Sequence, residues 1–347
     1  MSVYTDCCGF GDGKNLSCHF KHGRSKVDQR RGVLMSRLKV VLSLCLPLAL
    51  LMSASTVRAA TLYVNCGGKA GLTSIGAALK ALQYSEGHGS STINVSGACN
   101  ENVVIQSIDR VTLNAAPGAS INDPTGGNLD VIDILDSRDA SVNNFTINGG
   151  AYGITCQDRS LCRLNGNSVQ GANTAGVGIF FSQADVNGGV VRSNATGLWI
   201  YNGSEVKVQG VTVQNNGTGI ELRTHSFLVT DSMISGNSAT GVFAHFNATM
   251  HCLGCTVSGN GDHGVIIRRN STVRFVGNGV TGATITGNVG GGVLLSEESS
   301  TYFGVGGNVT GNTGGLDVAC GASATSAKFA TFNINGGKTN CFEPIDP

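Results

Sequence analysis

Proline is nearly missing from this 347-residue chain, with five in all, and aromatic residues make up only 6% of it, including a single tryptophan. So few bulky side chains are poor material for a conventional close-packed core. No long helical pattern follows residue 85, which leaves strands as the building material. Charge is scarce too, at 13%, and it is unevenly spread. Residues 1–59 hold nine Lys or Arg against three Asp, whereas residues 60–347 hold fourteen against nineteen acidic residues. A net charge of −5 there is the reverse of the basic stripe that nucleic acid requires.

What the chain has in quantity is glycine, 51 residues, arranged with a period. Gly153-Ile154-Thr155-Cys156 recurs as Gly178-Ile179-Phe180-Phe181, Gly197-Leu198-Trp199-Ile200 and Gly219-Ile220-Glu221-Leu222. It continues as Gly241-Val242-Phe243-Ala244, Gly264-Val265-Ile266-Ile267, Gly292-Val293-Leu294-Leu295 and Gly315-Leu316-Asp317-Val318. The steps are 25, 19, 22, 22, 23, 28 and 23 residues. Such self-similarity marks a solenoid, whose units need contact only their neighbours. A second anchor travels with the first: Val213-Gln214-Asn215-Asn216, Ile234-Ser235-Gly236-Asn237, Val257-Ser258-Gly259-Asn260 and Ile285-Thr286-Gly287-Asn288. Each unit reads as short alternating strands punctuated by Gly and Asn, which tolerate left-handed turns. The asparagines Asn216, Asn237, Asn260 and Asn288 are expected to stack inside one turn.

The start of the chain has a different character. Arg37 and Lys39 precede an apolar run over Val40–Ala54, and Val57-Arg58-Ala59 supplies small residues around a cleavage point. That order describes a secretory signal peptide over residues 35–59. The run is shorter than the ~20 residues a membrane span needs, so no span is expected after cleavage. Residues 1–34, with Cys7, Cys8, Cys18, His19 and His22, show no repeat and read as a non-structural extension. The mature domain is then 60–347, secreted or periplasmic. Setting aside Cys7, Cys8, Cys18 and Cys45, eight of the twelve cysteines remain, an even number suited to an oxidising compartment. Eight allow about a hundred pairings, and proximity alone favours Cys66 with Cys99, Cys156 with Cys162, Cys252 with Cys255 and Cys320 with Cys341.

Thr61-Leu62-Tyr63-Val64 reads as a strand, and Leu72, Ile75, Leu79 and Leu82 fall at helical spacing behind Thr73 or Ser74 as N-cap. A helix there would cover the apolar end of the first coil. Strands follow at Ser91–Gly97, Glu101–Ile105 and Arg110–Asn114, and a last strand is expected over Phe329–Ile334. This order, helix (Ser74-Ile75-Gly76-Ala77-Ala78-Leu79), then Thr92-Ile93-Asn94-Val95, then Glu101-Asn102-Val103-Val104-Ile105, resembles the entry of pectin-active β-helix proteins. The Asn–Gly–Ile coils resemble the right-handed parallel β-helix repeat, over about residues 61–335. The resemblance implies an all-β solenoid of about ten coils. It implies less about chemistry, because that superfamily includes lyases, hydrolases, esterases, epimerases and binding proteins.

Positions one and three after each glycine are apolar and should face inward, so positions two and four face out. Position two then runs Asp133, Thr155, Phe180, Trp199, Glu221, Phe243, Ile266, Leu294, Asp317, and position four runs Gln157, Ser182, Tyr201, Arg223, His245, Arg268, Ser296. Trp199, Phe180 and Phe243 would form an aromatic strip beside Tyr201, Arg223, His245 and Arg268. Rings stack on sugar faces and guanidinium forks grip carboxylates, which points to an acidic polysaccharide as partner. In a β-eliminating lyase His245 would be the base, Arg223 and Arg268 would neutralise the sugar carboxylate, and Tyr201 would protonate the leaving oxygen. Glu221 would join the rings as a substrate contact. An epimerase or glycoside hydrolase is the further enzyme reading behind the lyase, and a non-catalytic binding or adhesion module is the alternative.

Gly261-Asp262-His263-Gly264 resembles the Gly-His-Gly strand of polygalacturonases, which makes Asp262 and His263 further substrate-site candidates. Thr218 and Thr240 stand where that family carries aspartates, and its Arg-x-Lys is missing. Asp130, Asp133, Asp136 and Asp139 form an acidic run that could bind calcium, as lyases of the fold do. Strand residues three apart point to opposite faces, so no more than two of them could share one ion.

Overall fold

A computed structural model describes residues 59–83, 89–277, 282–304, 306–321, 326–329 and 339–341. The expected signal peptide and upstream extension fall outside the described residues apart from Ala59. Strands follow one another around a coil and pair in parallel with the equivalent strand one coil on, giving three ladders. One is a ten-stranded sheet that begins with Val103–Gln106 and ends with Val318–Cys320. The second runs from Thr61–Cys66 to Ser326–Phe329, and the third from Ala98–Asn100 to Asn308–Thr310. The expected continuation from Phe329 to Ile334 lies outside the described residues.

Alternation does the sorting. Along Thr196–Tyr201 the inward Leu198 and Ile200 are fully buried, and Ile220 and Leu222 follow them one coil on. With coils about 4.8 Å apart, each apolar residue meets its counterpart above and below, and a continuous core forms from small side chains.

The helix spans Ile75–Gln83 and buries Ile75, Ala78, Leu79 and Leu82. Ser74 caps it, its Oγ accepting from Ala77 N at 3.1 Å. A second cap comes from elsewhere in the chain. Glu101 accepts from Ile75 N at 2.7 Å and Gly76 N at 3.0 Å, placing a carboxylate where the helix dipole favours negative charge. The expected strand over Glu101–Ile105 therefore starts only at Val103.

Two internal ladders hold the turns. Asn194, Asn216, Asn237, Asn260 and Asn288 donate Nδ2 in succession, each to the Oδ1 one coil on, and Asn312 ends the series by donating to Asp317 Oδ1, five residues ahead. The residue before the ladder position is left-handed, as at Asn215, Gly236, Gly259 and Gly287. At another corner a serine row, Ser137, Ser160, Ser182, Ser204 and Ser226, passes hydrogen bonds in the same way, each Oγ accepting from the backbone N–H one coil back. Among the described residues four disulfides join Cys66–Cys99, Cys156–Cys162, Cys252–Cys255 and Cys320–Cys341.

The anchor glycines have a different reason from the one expected. Gly197, Gly219, Gly241 and Gly264 are not left-handed. They are glycine for lack of space. A Cβ on Gly241 would lie 2.6 Å from Gly264 O, 2.7 Å from Asn260 Nδ2 and 2.7 Å from Val257 Cγ1. The next coil's backbone, the asparagine ladder and the core all converge on that point. Gly241→Ala should therefore cost about 2 kcal/mol or more in urea unfolding, in the range of overpacked cores. Unchanged stability would show that the coil can open there.

Pairing corrects the repeat at two coils. Gly178 lies opposite Thr155 and Trp199, so the anchor in that coil is Gly176. Val318 lies opposite Val293, so the anchor place in the last coil is taken by Asp317. The turns entering these coils differ in length from their neighbours, and apolar spacing alone cannot reveal a slip of two, because two residues restore the same face.

Candidate functional site

The outward face of the ten-stranded sheet carries the candidate residues. The turns bordering it over 196–268 are only a few residues long, so among the described residues none of them roofs it there. By pairing, the central column is Asp133, Thr155, Gly178, Trp199, Glu221, Phe243, Ile266 and Leu294. Phe180 leaves this column and stands beside it, between Gln157 and Tyr201. Ser182 leaves the face altogether and belongs to the internal serine row. Asp317 likewise serves the asparagine ladder instead of the outer face.

The expected aromatic strip is therefore a cluster. Tyr152, Phe180 and Trp199 gather over Gly178: Tyr152 and Trp199 have centroids 6.1 Å apart and inclined by 29°, and Phe180 is edge-on to both at 5.6 and 6.2 Å. Gly178 makes the hollow they fill, since a Cβ there would come within 2.8 Å of Phe180 and 2.9 Å of Tyr152. Tyr152 was not among the sequence candidates. Its signal was its place directly before Gly153. Burial and the nearby Asp130 and Glu221 carboxylates push the Tyr152 phenol up. The indole Nε1 of Trp199 is buried without a partner among the described residues.

Beyond the rings lies a polar cluster centred on Glu221. Its Oε1 is 3.1 Å from His245 Nε2 and 3.4 Å from Arg223 Nη1. His245 is held on both faces, stacked on Phe243 at 4.2 Å and tilted against Phe246 at 4.8 Å, and is only 6% exposed. Its neighbour in the column is Arg223, as expected, and its polar partner is the Glu221 carboxylate. Glu221 is correspondingly a holder of His245 and Arg223 more than a free substrate contact. Arg223 lies over the rings of Tyr201 at 5.3 Å and Phe246 at 5.5 Å. Arg268 lies 5.9 Å from the Phe243 ring, and among the described residues it makes no ion pair. Phe246 was also missed, since it sits past the strand in a left-handed turn where an aromatic is not expected.

Asp262 and His263 form a second pair, Nδ1 to Oδ1 at 2.8 Å, with Thr240 Oγ1 donating to Asp262 at 3.1 Å. Burial alone would raise the Asp262 carboxyl, but the hydrogen bond and charge of His263, then Thr240, hold it below the ordinary value. Its contribution to stability is thus present above the ordinary carboxylate range and is lost as pH falls below it. His263→Gln should move that loss to higher pH in an acid-unfolding curve, and an unmoved curve would separate the two side chains.

The acidic run divides. Asp130 and Asp133 share Thr155 Oγ1 at 3.0 and 2.7 Å, Asp133 also accepts from Gln157 Nε2 at 2.7 Å, and Asp130 accepts from Tyr152 N at 3.2 Å. Asp139 pairs with Arg163, and Asp136 turns away to accept from Ser107 Oγ. Calcium takes six or more oxygens. Two carboxylates already engaged by hydroxyl, amide and backbone donors do not fit it. Burial, with Asp133 nearby, pushes Asp130 up against the opposing Thr155 bond. Among the described residues the grouping of three ligand-type side chains is Cys66, Cys99 and Glu101, which is a disulfide beside the helix cap.

The model of the right handed beta helix region matches residues 130–280 and 181–335, together more than half of the chain. The chain belongs to that family. Among solved structures it is similar to the A-module of the mannuronan C-5 epimerase AlgE4 of Azotobacter vinelandii, at 12% identity and TM-score 0.55, covering 77% of this chain and 94% of that one. It also matches the pectate lyase Pel9A at 14% identity and TM-score 0.45, covering 84% and 80%. An alginate lyase from Paenibacillus sp. str. FPU-7 follows at 12% identity and TM-score 0.40, covering 82% and 99%. A search of curated proteins finds no significant match. Likeness at this level concerns the fold.

Proposed function

We propose that this is an extracellular protein that acts on an acidic polysaccharide, and that it cleaves a uronate polymer by β-elimination. The observation that carries the reading is the juxtaposition on one unroofed sheet of an aromatic cluster with Arg223, Glu221, His245 and Arg268, on adjacent coils. The similarity in fold to an epimerase acting on mannuronan supports the same substrate class. The disulfides suit an oxidising compartment. Among the described residues no helix is long and apolar enough to cross a membrane.

The roles follow from the contacts. Arg268, without an ion pair, meets the sugar carboxylate, and Arg223 flanks it while held by Glu221. Neutralising that carboxylate acidifies the neighbouring C–H. The Glu221–His245 pair takes the proton, the electrons of the broken C–H bond form the new C=C, and the C–O bond to the leaving sugar breaks. Tyr201 delivers a proton to the departing oxygen. Incubation with mannuronan, guluronan and polygalacturonate should give the ultraviolet absorbance of an unsaturated sugar on one of them. Binding without any such absorbance, destroyed by Trp199→Ala, would establish the binding module instead. The observation favouring that second reading is the burial of His245 between two phenylalanines.

A further inference from the structure

We infer that the chain carries a second carbohydrate-binding groove, on the second ladder and away from the ten-stranded sheet, that takes an acidic oligosaccharide. A groove of about 450 Å³ is lined by Arg138, Arg159, Leu161, Phe181, Gln183 and Glu205. A hollow of about 380 Å³ shares Leu161, Gln183 and Glu205 with it and continues past Asp185, Lys207 and Phe227. The floor is one column of the ladder, because Leu161 pairs with Gln183, Gln183 with Glu205 and Glu205 with Phe227. Successive floor residues stand about 4.8 Å apart, close to the length of one sugar ring, so an extended chain along the coil axis meets one per unit.

Phe181 is the unusual member. It occupies the left-handed turn position filled by Asp158 and Asn202 in the neighbouring coils, a conformation that bulky residues avoid. Phe246 stands at the equivalent place but is packed against His245 and lies under Arg223 and Arg269. Phe181 is 59% exposed. An aromatic ring held in a disfavoured backbone state and presented to water has no packing reason to be there, and strain of this kind marks binding positions. A ring face is what a sugar stacks on.

Charge at the mouth supplies the class. Arg138 and Arg159 are exposed, and among the described residues neither side chain makes an ion pair or a hydrogen bond. Two free forked guanidiniums complement carboxylates. Gln183 and Glu205, whose side chains lie 3.4 Å apart, offer donors and acceptors to hydroxyl groups further along the floor. The groove uses none of the residues assigned to the ten-stranded sheet and does not rest on the reading given for them.

The test uses the full chain and short oligomers of mannuronate, guluronate and galacturonate, with NMR shifts and titration calorimetry as readouts. One of the three is expected to move the amide signals of Gln183, Gly203 and Glu205, and Phe181→Ala and Arg159→Gln should each weaken that site at least tenfold. Cleavage of the same oligomers, where the wild type shows it, should be unchanged in both variants. No shift at these amides with any oligomer overturns the inference, even if the ten-stranded sheet cleaves or binds them. Equal competition by an acidic peptide would also overturn it, by making the groove a general anion site.

Discussion

His245→Ala should lower uronate cleavage by about 10²–10⁴-fold, the usual contribution of a positioned acid–base group. Glu221 holds His245 Nε2 at 3.1 Å, so Glu221→Gln should lower the rate as well, and an unchanged rate would separate the carboxylate from the base. Trp199→Ala should act differently, raising KM with a smaller effect on kcat, because the ring meets ground and transition states alike. Because His245 lies between Phe243 and Phe246, its removal leaves a hollow, and unfolding measurements on the variant are needed alongside. Full activity in a folded His245→Ala protein would dismiss the histidine as part of the base. Arg268→Ala should abolish turnover while leaving the Glu221 cluster intact, as no ion pair ties it to that cluster.

Asn237→Ala should destabilise the solenoid by at least about 2 kcal/mol, because several buried groups lose partners together. Asn237 Oδ1 accepts from both the backbone N and the Nδ2 of Asn216 at 3.0 Å, and its Nδ2 donates to Val213 O at 3.3 Å and Asn260 Oδ1 at 2.9 Å. Removing the amide takes the acceptor from the buried backbone N–H of Asn216 and one hydrogen bond each from Val213 O and the Asn216 and Asn260 side chains. Those two side chains keep their bonds to Val191 O and Asn237 N. The loss should appear as a lower urea midpoint with the slope preserved. Asn237→Asp is the sharper variant: the acceptor stays, the donor goes, and a negative charge is placed against Asn260 Oδ1. It should cost more than alanine at neutral pH and less in acid. A change within error for both would put the side chain in water.

The period near 22, the inward apolar pairs and the asparagine turn were all legible in the chain, because a solenoid stacks like on like and its sequence must repeat wherever its neighbours do. The serine row was legible too: Ser137, Ser160, Ser182, Ser204 and Ser226 recur at steps of 23 or 22, as regular as the glycines, yet serine is common enough in turns to pass for filler. Three things were decided by the tertiary structure. Register at Gly176 and Asp317 needed the actual pairing, since a slip of two preserves every inward residue. Why the anchor is glycine needed the next coil's carbonyl in place, because no local rule reports a missing volume. The partners of His245 needed side-chain reach: Glu221 and His245 sit in different columns of adjacent coils, and only their rotamers bring Oε1 to Nε2. Repetition writes the backbone of this protein into its sequence, whereas the groups on its outer faces repeat with nothing and meet only once the coils are stacked.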